Sequence, residues 1–233
     1  MAKTYVMADI HGEYRKFLKM LDLIEFSDED LLFILGDMID RGPEPIELLK
    51  DLSMRHNIVC LLGNHEYMAL KTLKQIDVEI TEENWRSQLT MEVMQGFYDW
   101  MRNGGEVTLN QYRKLDQEEK DGIKEFLEDL ELYEVVRKGE ETYVLVHAGF
   151  MNFSSDRPLD DYTAVELVFE RPDYSKPYFK KAITVSGHTP TLMIHDKAEI
   201  YHSPGHIVLD CGAVYPDGRL ACLCLDTKEE FYI

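Results

Sequence analysis

The chain has 233 residues, enough for one domain or for one domain with an insertion, and 45% of them are hydrophobic, which supports a sizeable core. Acidic residues outnumber basic ones by 44 to 25, so the net charge of −19 repels nucleic acid and anionic membrane surfaces at long range. No apolar stretch reaches the roughly 18 residues of a membrane span, and no signal-peptide pattern is present. We therefore expect a cytoplasmic protein without nucleic-acid or membrane partners.

The first ~75 residues alternate between strand-like and helix-like patterns. Three short apolar runs, rich in branched residues and each followed by Gly or Asp, are typical of buried strands. Glu13–Ile24 carries a helical apolar stripe, and prolines at positions 43 and 45 open a second helix, where proline is tolerated. Repeated strand–helix units favour a parallel sheet. The three runs cover residues 5–8, 31–35 and 58–62.

Residues 71–142 differ because helical patterns dominate there. Glu83–Arg102 and Asp116–Glu131 have helical patterns, and Asn103-Gly104-Gly105 forms a turn signal between them. We interpret this region as a helical insertion in a single domain of residues 1–233, which could form a cap over the substrate site. Strands are predicted again after the insertion, over residues 143–147, 183–187, 207–211 and 219–225.

Five of the predicted strands lead into residues that can ligate a metal ion. Ligands of open α/β sheets lie outside the carboxyl ends of the strands, so these side chains should converge on one rim. Each residue alone is more often a turn former or a hydrogen-bonded histidine, but their joint placement at strand ends argues for a metal centre with two ions. Oxygen and imidazole donors without thiolate suit Mn²⁺ first, with Fe or Zn²⁺ as alternatives. The predicted ligands are Asp9, His11, Asp37, Asn64, His147 and His188.

Three further residues are placed for catalysis beside these ligands. His65 follows Asn64, so its side chain should start away from the ion and could donate a proton to a leaving group. Asp40 could pair with His65 and hold its tautomer. Arg41 could bind phosphate oxygens with its forked guanidinium. The same loop also fits the plainer interpretation of a solvated segment that caps a helix.

Five motifs, taken in chain order, resemble the signature of the calcineurin-like metallophosphoesterases. More narrowly, they are similar to the PPP-type serine/threonine protein phosphatases in their bacterial and phage form, with the diadenosine tetraphosphate hydrolases as a related branch. The resemblance covers roughly residues 3–225. The motifs are Ala8-Asp9-Ile10-His11-Gly12, Gly36-Asp37-Met38-Ile39-Asp40-Arg41-Gly42, Gly63-Asn64-His65-Glu66, His147-Ala148-Gly149 and Gly187-His188-Thr189.

The resemblance implies an α/β fold, a four-layer α/β/β/α sandwich with a helical insertion, around two metal ions. It also implies His65 as general acid, Asp40 as its partner and Arg41 as a phosphate clamp. A second clamp, Arg171, is implied by the match of Phe169-Glu170-Arg171 to a W-x-R-like family segment. One ion is implied to bind Asp9, His11 and Asp37, and the other Asp37, Asn64, His147 and His188.

Two other segments resemble family elements. Trp100-Met101-Arg102-Asn103-Gly104-Gly105 is similar to a W-x-x-N-G-G element that shapes the cleft in phage-type members. Asp210-Cys211-Gly212-Ala213-Val214 resembles the strand after the last metal histidine.

The sequence gives conflicting indications about the substrate. Leu62 stands where the protein phosphatases commonly have arginine, which favours the tetraphosphate hydrolase branch, whereas Glu66 fits the phosphatase branch. We predict hydrolysis of phosphomonoesters, first of all phosphoserine and phosphothreonine in proteins, by direct attack of a hydroxide held between the two ions. The alternative is a hydrolase of diadenosine tetraphosphate or another small phosphorylated metabolite. A non-catalytic interaction module is a third class, and it would require loss of a ligand or of the His65–Asp40 pair, all of which are present.

Overall fold

A computed structural model describes residues 2–78, 81 and 90–233, and its framework is a pair of five-stranded mixed sheets. The first sheet contains β1 (Thr4–Met7), β2 (Leu31–Ile34), β3 (Ile58–Cys60), β9 (Ala221–Cys224) and β10 (Glu230–Tyr232). Its order is β10-β9-β1-β2-β3, with β1, β2 and β3 parallel and β9 antiparallel to both of its neighbours. The predicted strand–helix repeat therefore forms the parallel part of this sheet.

The second sheet comes from the later part of the chain. It contains β4 (Tyr133–Lys138), β5 (Glu141–Val146), β6 (Ile183–Ser186), β7 (Tyr201–Ser203) and β8 (His206–Val208), in the order β4-β5-β6-β8-β7. Strands β5, β6 and β8 are parallel, whereas β4 and β7 are antiparallel edge strands. The predicted metal ligands follow β1, β2 and β3 in the first sheet and β5 and β6 in the second.

Helices cover the outer faces of the sheets. A 3₁₀ turn at Leu159–Asp161 precedes the two short helices of the second half, and among the described helices none has the length and hydrophobicity required to cross a bilayer. The α-helices are α1 (Tyr14–Leu23), α2 (Pro45–Ser53), α3 (Asn64–Ile76), α4 (Met91–Arg102), α5 (Glu106–Tyr112), α6 (Gln117–Glu128), α7 (Ala164–Val168) and α8 (Thr191–His195).

Three apolar layers separate four layers of structure. Along β1, Tyr5 and Met7 pack against the helices, whereas Val6 and Ala8 face the second sheet. Because both faces of β1 are buried, its sequence is an unbroken apolar run. A third cluster, which includes Val144 and Phe150, covers the other face of the second sheet. The predicted α/β/β/α sandwich is confirmed, and all four cysteines are free and buried.

The structure differs from the expectation at the end of the insertion. The helical part ends at Glu128, and residues 133–138, which were expected within the helical region, form the edge strand β4. The side chains of β4 are partly or fully exposed, so the strand lacks the apolar run by which the buried strands were found. Strands β7 and β10 were not predicted either. Helix α4 begins at Met91, and most of the expected stretch before it lies outside the described residues.

The helices of the insertion pack on the outer side of the first sheet. Helix α4 contacts α3, and α5 contacts α2. Helix α6 contacts both α2 and α3. Trp100, Leu109 and Tyr112 belong to the same apolar cluster as α1 and α2. The insertion therefore lies next to the loop that follows β2, which carries part of the predicted site.

Candidate metal centre

Six of the predicted site residues have a left-handed backbone conformation in the loops that follow the strands. Among the described residues, ten non-glycine residues have φ between +20° and +160°, and six of these belong to the predicted site. Such conformations cost on the order of 1 kcal/mol or more each and persist where the surroundings hold them, typically at functional sites. The six are Asp9 (φ 51°), His11 (47°), Asp37 (53°), Asp40 (69°), Arg41 (65°) and His188 (64°).

Asp37 lies at the centre of the site and is 2% exposed. Its Oδ2 atom is 3.7 Å from His11 Nε2 and 3.8 Å from His65 Nε2. Its Oδ1 atom is 3.5 Å from His147 Nε2. The carboxylate thus presents one oxygen to each of two groups of imidazoles, which is the arrangement that a bridging ligand requires.

Two groups of donor atoms share this carboxylate. Within each group, all donor atoms lie within 4.8 Å of one another. One group contains the predicted ligand His11, and it also contains His65, whose side chain was expected to start away from the ion. The other contains the predicted ligands of the later strands. The groups are His11, Asp37 and His65, and Asp37, His147 and His188.

The amide of Asn64 completes the second group. Its Oδ1 atom is 2.8 Å from His188 Nδ1 and 3.0 Å from His147 Nε2. Asp9 belongs to neither group, and its carboxylate accepts hydrogen bonds from the backbone N–H of His188 at 3.0 and 3.1 Å. A Cβ atom on Gly187 would lie 1.9 Å from Asp9 Oδ2, so only glycine allows this approach. The role of Asp9 as a ligand stays a prediction.

The tautomers of two histidines fit a metal site. His11 Nδ1 lies 2.9 Å from the carbonyl oxygen of Ile39, and His147 Nδ1 lies 2.7 Å from that of Leu35. With the proton on Nδ1, each ring donates to backbone and directs the Nε2 lone pair into the site, as metal-ligating histidines do. Burial lowers the pKa of His11 to about 3, so its imidazole is neutral at pH 7. Burial and the neighbouring His147 likewise lower the pKa of His188 to about 3.

The charges of the site also fit bound cations. The buried carboxyl groups of Asp9, Asp37 and Asp210 lie close enough to perturb one another. Burial, followed by the charges of Asp210 and Asp37, raises the pKa of Asp9 well above its ordinary value. Burial also raises the pKa of Asp210 to about 7. Divalent cations would relieve this repulsion, so both the charge and the donor set fit a metal centre.

The predicted catalytic group is assembled beside Asp37. His65 Nδ1 donates to Asp40 Oδ2 at 2.6 Å, and both side chains are buried. The guanidinium of Arg41 donates to His65 Nε2 at 2.9 Å and to His11 Nε2 at 2.7 Å. Burial acts to lower the pKa of His65, but the carboxylates of Asp37 and Asp40 outweigh it, and the net result is a raised pKa.

Arg171 is exposed and lies close enough to His188 to act on its charge. Its charge contributes to the lowered pKa of His188, after burial and His147, and it also acts on the carboxyl group of Asp210. Leu62, which stands where protein phosphatases commonly have arginine, is 7% exposed, and its backbone N–H donates to the carbonyl oxygen of Glu131. It is therefore buried.

Sequence reasoning missed the contribution of Glu66. The carboxylate of Glu66 is fully buried and accepts hydrogen bonds from four backbone N–H groups at 2.8–3.1 Å. The donors lie in the two loops that carry Asp37 and Asn64, so Glu66 fixes these loops to each other. The available signal was glutamate at the third position of α3, where its side chain can accept from the N–H of the N-cap residue, here Gly63. The four donors are the N–H groups of Asp37, Met38, Ile39 and Gly63.

Comparison with known proteins agrees with the fold and with this donor arrangement. The family model described as calcineurin-like phosphoesterase matches residues 2–222. The chain therefore belongs to the calcineurin-like phosphoesterase family, a family of hydrolases with a dinuclear divalent metal centre. The two donor groups that share Asp37 are placed to hold such a centre.

Several curated relatives are symmetrical bis(5'-nucleosyl)-tetraphosphatases. A symmetrical bis(5'-nucleosyl)-tetraphosphatase from Wigglesworthia glossinidia brevipalpis is 32% identical over 113 residues, which are 48% of this chain and 42% of that protein. The alignment thus spans less than half of the relative's length. A crystal structure of a proposed diadenosine tetraphosphatase matches all of this chain and 93% of that one, with 20% identity and a TM-score of 0.66. A serine/threonine phosphatase from Saccharomyces cerevisiae matches 97% of this chain and 73% of its own, with 12% identity and a TM-score of 0.57. At these identities the structural matches show the fold.

Proposed function

We propose that this protein is a dinuclear metal-dependent phosphohydrolase and that its preferred substrate is a dinucleoside polyphosphate such as diadenosine tetraphosphate. The observation that carries the reaction class is the Asp37 carboxylate, which turns one oxygen to each of two histidine groups. The substrate class rests on the relatives, which are tetraphosphatases at 32% identity over part of the chain. These relatives favour the alternative substrate, diadenosine tetraphosphate, over the phosphoproteins that the sequence analysis ranked first.

The proposed ligands are those that the sequence singled out. Two divalent ions held there would polarise the phosphate and activate a water molecule, and Mn²⁺ is the proposed metal because the donors are oxygen and imidazole without thiolate. A protein with a net charge of −19 also requires such local positive charge to bind a polyphosphate. The ligands are Asp9, His11, Asp37, Asn64, His147 and His188.

His65 and the two arginines act on the substrate in this proposal. Asp40 holds the Nδ1 proton of His65, so a proton for the leaving-group oxygen comes from Nε2. Arg41 donates to His65 Nε2 in this structure, so its guanidinium has to move onto the phosphate oxygens before Nε2 can carry the proton, while Arg171 provides a second cation near His188.

Phosphoserine and phosphothreonine in proteins remain the second candidate, because Glu66 in Gly63-Asn64-His65-Glu66 matches the protein phosphatase branch. A substrate panel separates the two. The purified protein with Mn²⁺ is assayed on diadenosine tetraphosphate, a phosphoserine peptide and p-nitrophenyl phosphate, with EDTA-treated protein as the control. We expect the highest kcat/KM for the dinucleotide. A preference for the phosphopeptide would reverse the substrate assignment, and absence of metal-dependent hydrolysis of all three would refute the reaction class.

A further inference from the structure

The carboxylate of Asp40 is held by more than its histidine partner. Asp40 is 0% exposed, and three donors bind its side chain. His65 Nδ1 and Trp100 Nε1 donate to Oδ2 at 2.6 and 2.8 Å, and Thr108 Oγ1 donates to Oδ1 at 2.6 Å. Trp100 lies on α4 and Thr108 lies on α5. Two of the three donors therefore come from the helical insertion, more than 50 residues away in sequence from Asp40.

The helical insertion also binds the backbone of the loop that carries Asp40 and Arg41. Asp40 N–H donates to Thr108 Oγ1 at 3.0 Å, and Arg41 N–H donates to the carbonyl oxygen of Gly104 at 3.1 Å. Asp40 and Arg41 are consecutive residues with φ of 69° and 65°, a conformation that costs on the order of 1 kcal/mol or more for each residue. Contacts from outside the loop must offset this cost. Both backbone N–H groups find their acceptors in the insertion.

The donor from α4 is fixed by close packing. Trp100 is fully buried, and a Cβ atom on Gly105 would lie 2.6 Å from its indole ring. Glycine at position 105 thus lets the turn between α4 and α5 pass over the ring. The turn then presents Gly104 to Arg41 and leads into α5, which carries Thr108. The Trp-x-x-Asn-Gly-Gly spacing consequently delivers one indole donor and one hydroxyl to the same carboxylate.

We propose that Trp100 and Thr108 are positioning residues for His65 and that the insertion acts as a buttress for the His65–Asp40 pair. The threonine hydroxyl donates to Asp40 Oδ1 and accepts from Asp40 N–H, so it has a single orientation that locks the carboxylate against its own backbone. The indole N–H shares Oδ2 with His65. Rotation of the carboxylate away from His65 would break all three side-chain bonds, and the imidazole is therefore kept with Nε2 directed towards Asp37. The consequence for catalysis rests on the proposed function of His65 as proton donor.

Thr108→Val tests this positioning because it removes the hydroxyl and nearly preserves the side-chain volume. Thr72→Val is the matched control, since Thr72 is also buried and its Oγ1 donates to a carbonyl oxygen of its own helix, that of Met68. Trp100→Phe is a second variant, which keeps an aromatic ring and removes the N–H donor. All three are compared with wild type in metal content, thermal stability, histidine NMR and kinetics.

The NMR measurement does not depend on turnover. With the protein in a diamagnetic Zn²⁺ form, ¹H–¹⁵N spectra of the imidazoles report the hydrogen-bonded Nδ1 proton of His65. We expect this proton to move upfield and exchange faster with water in Thr108→Val and Trp100→Phe, and to be unchanged in Thr72→Val. An unchanged His65 signal in both variants would overturn the proposal, even if the wild-type protein proved to hydrolyse no phosphoester.

The kinetic measurement separates positioning from general destabilisation. We expect kcat to fall on the order of 10-fold or more for an alkyl phosphate, whose leaving group needs a proton, and less than about 2-fold for p-nitrophenyl phosphate, with metal content unchanged. Equal losses on both substrates, with a lowered melting temperature, would show a structural role only and would refute the catalytic part.

Discussion

Glu66→Gln is the substitution whose effect follows most directly from the structure. The carboxylate of Glu66 accepts four backbone N–H groups, two on each oxygen. Glutamine has one carbonyl oxygen, which can keep two of them, and its NH₂ group then faces the other two donors. Each lost charge-assisted bond to a buried group costs about 1.5–3 kcal/mol, so we expect unfolding free energy to fall by about 3–6 kcal/mol. A typical domain has about 5–15 kcal/mol in total, so the variant should be markedly destabilised.

Urea unfolding at fixed Mn²⁺ concentration, followed by circular dichroism, measures this change. Glu119→Gln is the matched control, because Glu119 occupies the same third position in α6 and accepts from the N-cap N–H of Asp116, but its side chain is 39% exposed. The control should lose far less stability than Glu66→Gln, because hydrogen bonds and ion pairs of exposed charged side chains contribute little. If the two variants lose equal and small amounts of stability, the argument that Glu66 ties the Asp37 loop to α3 is wrong.

Three further substitutions test single residues of the site. His65→Asn should retain metal and lose about 10²–10⁴ in rate, more for an alkyl phosphate than for p-nitrophenyl phosphate; loss of metal instead would make His65 a ligand, which its place in the first donor group permits. Arg171→Ala should lower kcat/KM about 10- to 100-fold, the scale of one charged hydrogen bond, and unchanged kinetics would remove Arg171 from the site. Gly187→Ala should displace Asp9 and lower metal affinity in titration calorimetry, and wild-type affinity would argue against Asp9 as a ligand.

The sequence predicted the parts of the fold that are buried on both faces. Strand β1 lies between the helices and the second sheet, so every residue of it is apolar or buried, and the pattern is unambiguous. Strand β4 pairs with only one neighbour at the sheet edge, and its charged and exposed residues resemble those of the preceding helices. Exposure on one side therefore explains why β4 was assigned to the helical insertion.

In the candidate site, too, the sequence predicted some residues and missed others. Residues at the carboxyl ends of neighbouring parallel strands meet at one rim, so the proximity of His11 to Asp37 follows from the topology of the first sheet. His147 follows β5 of the second sheet, and it reaches Asp37 because the two sheets pack face to face. The supporting contacts do not follow from this topology. The position of Glu66 near the start of α3 indicates only its local bond to Gly63 N–H, and not its bonds to the loop that carries Asp37. Thr108 reaches Asp40 across 68 residues through the packing of α5 against α2. Such contacts depend on tertiary structure that no local pattern specifies.

Metal stoichiometry of wild type and Asp37→Asn shows whether one carboxylate holds two metal ions, because Asp37 is the residue that both donor groups share. Protein dialysed against Mn²⁺ and then passed through a desalting column is analysed by mass spectrometry for bound metal, and hydrolysis of diadenosine tetraphosphate is measured on the same samples. We predict about two ions per wild-type chain, and loss of tightly bound metal together with hydrolysis in Asp37→Asn. A variant that keeps two ions and the wild-type rate would contradict the account of a carboxylate-bridged dinuclear centre.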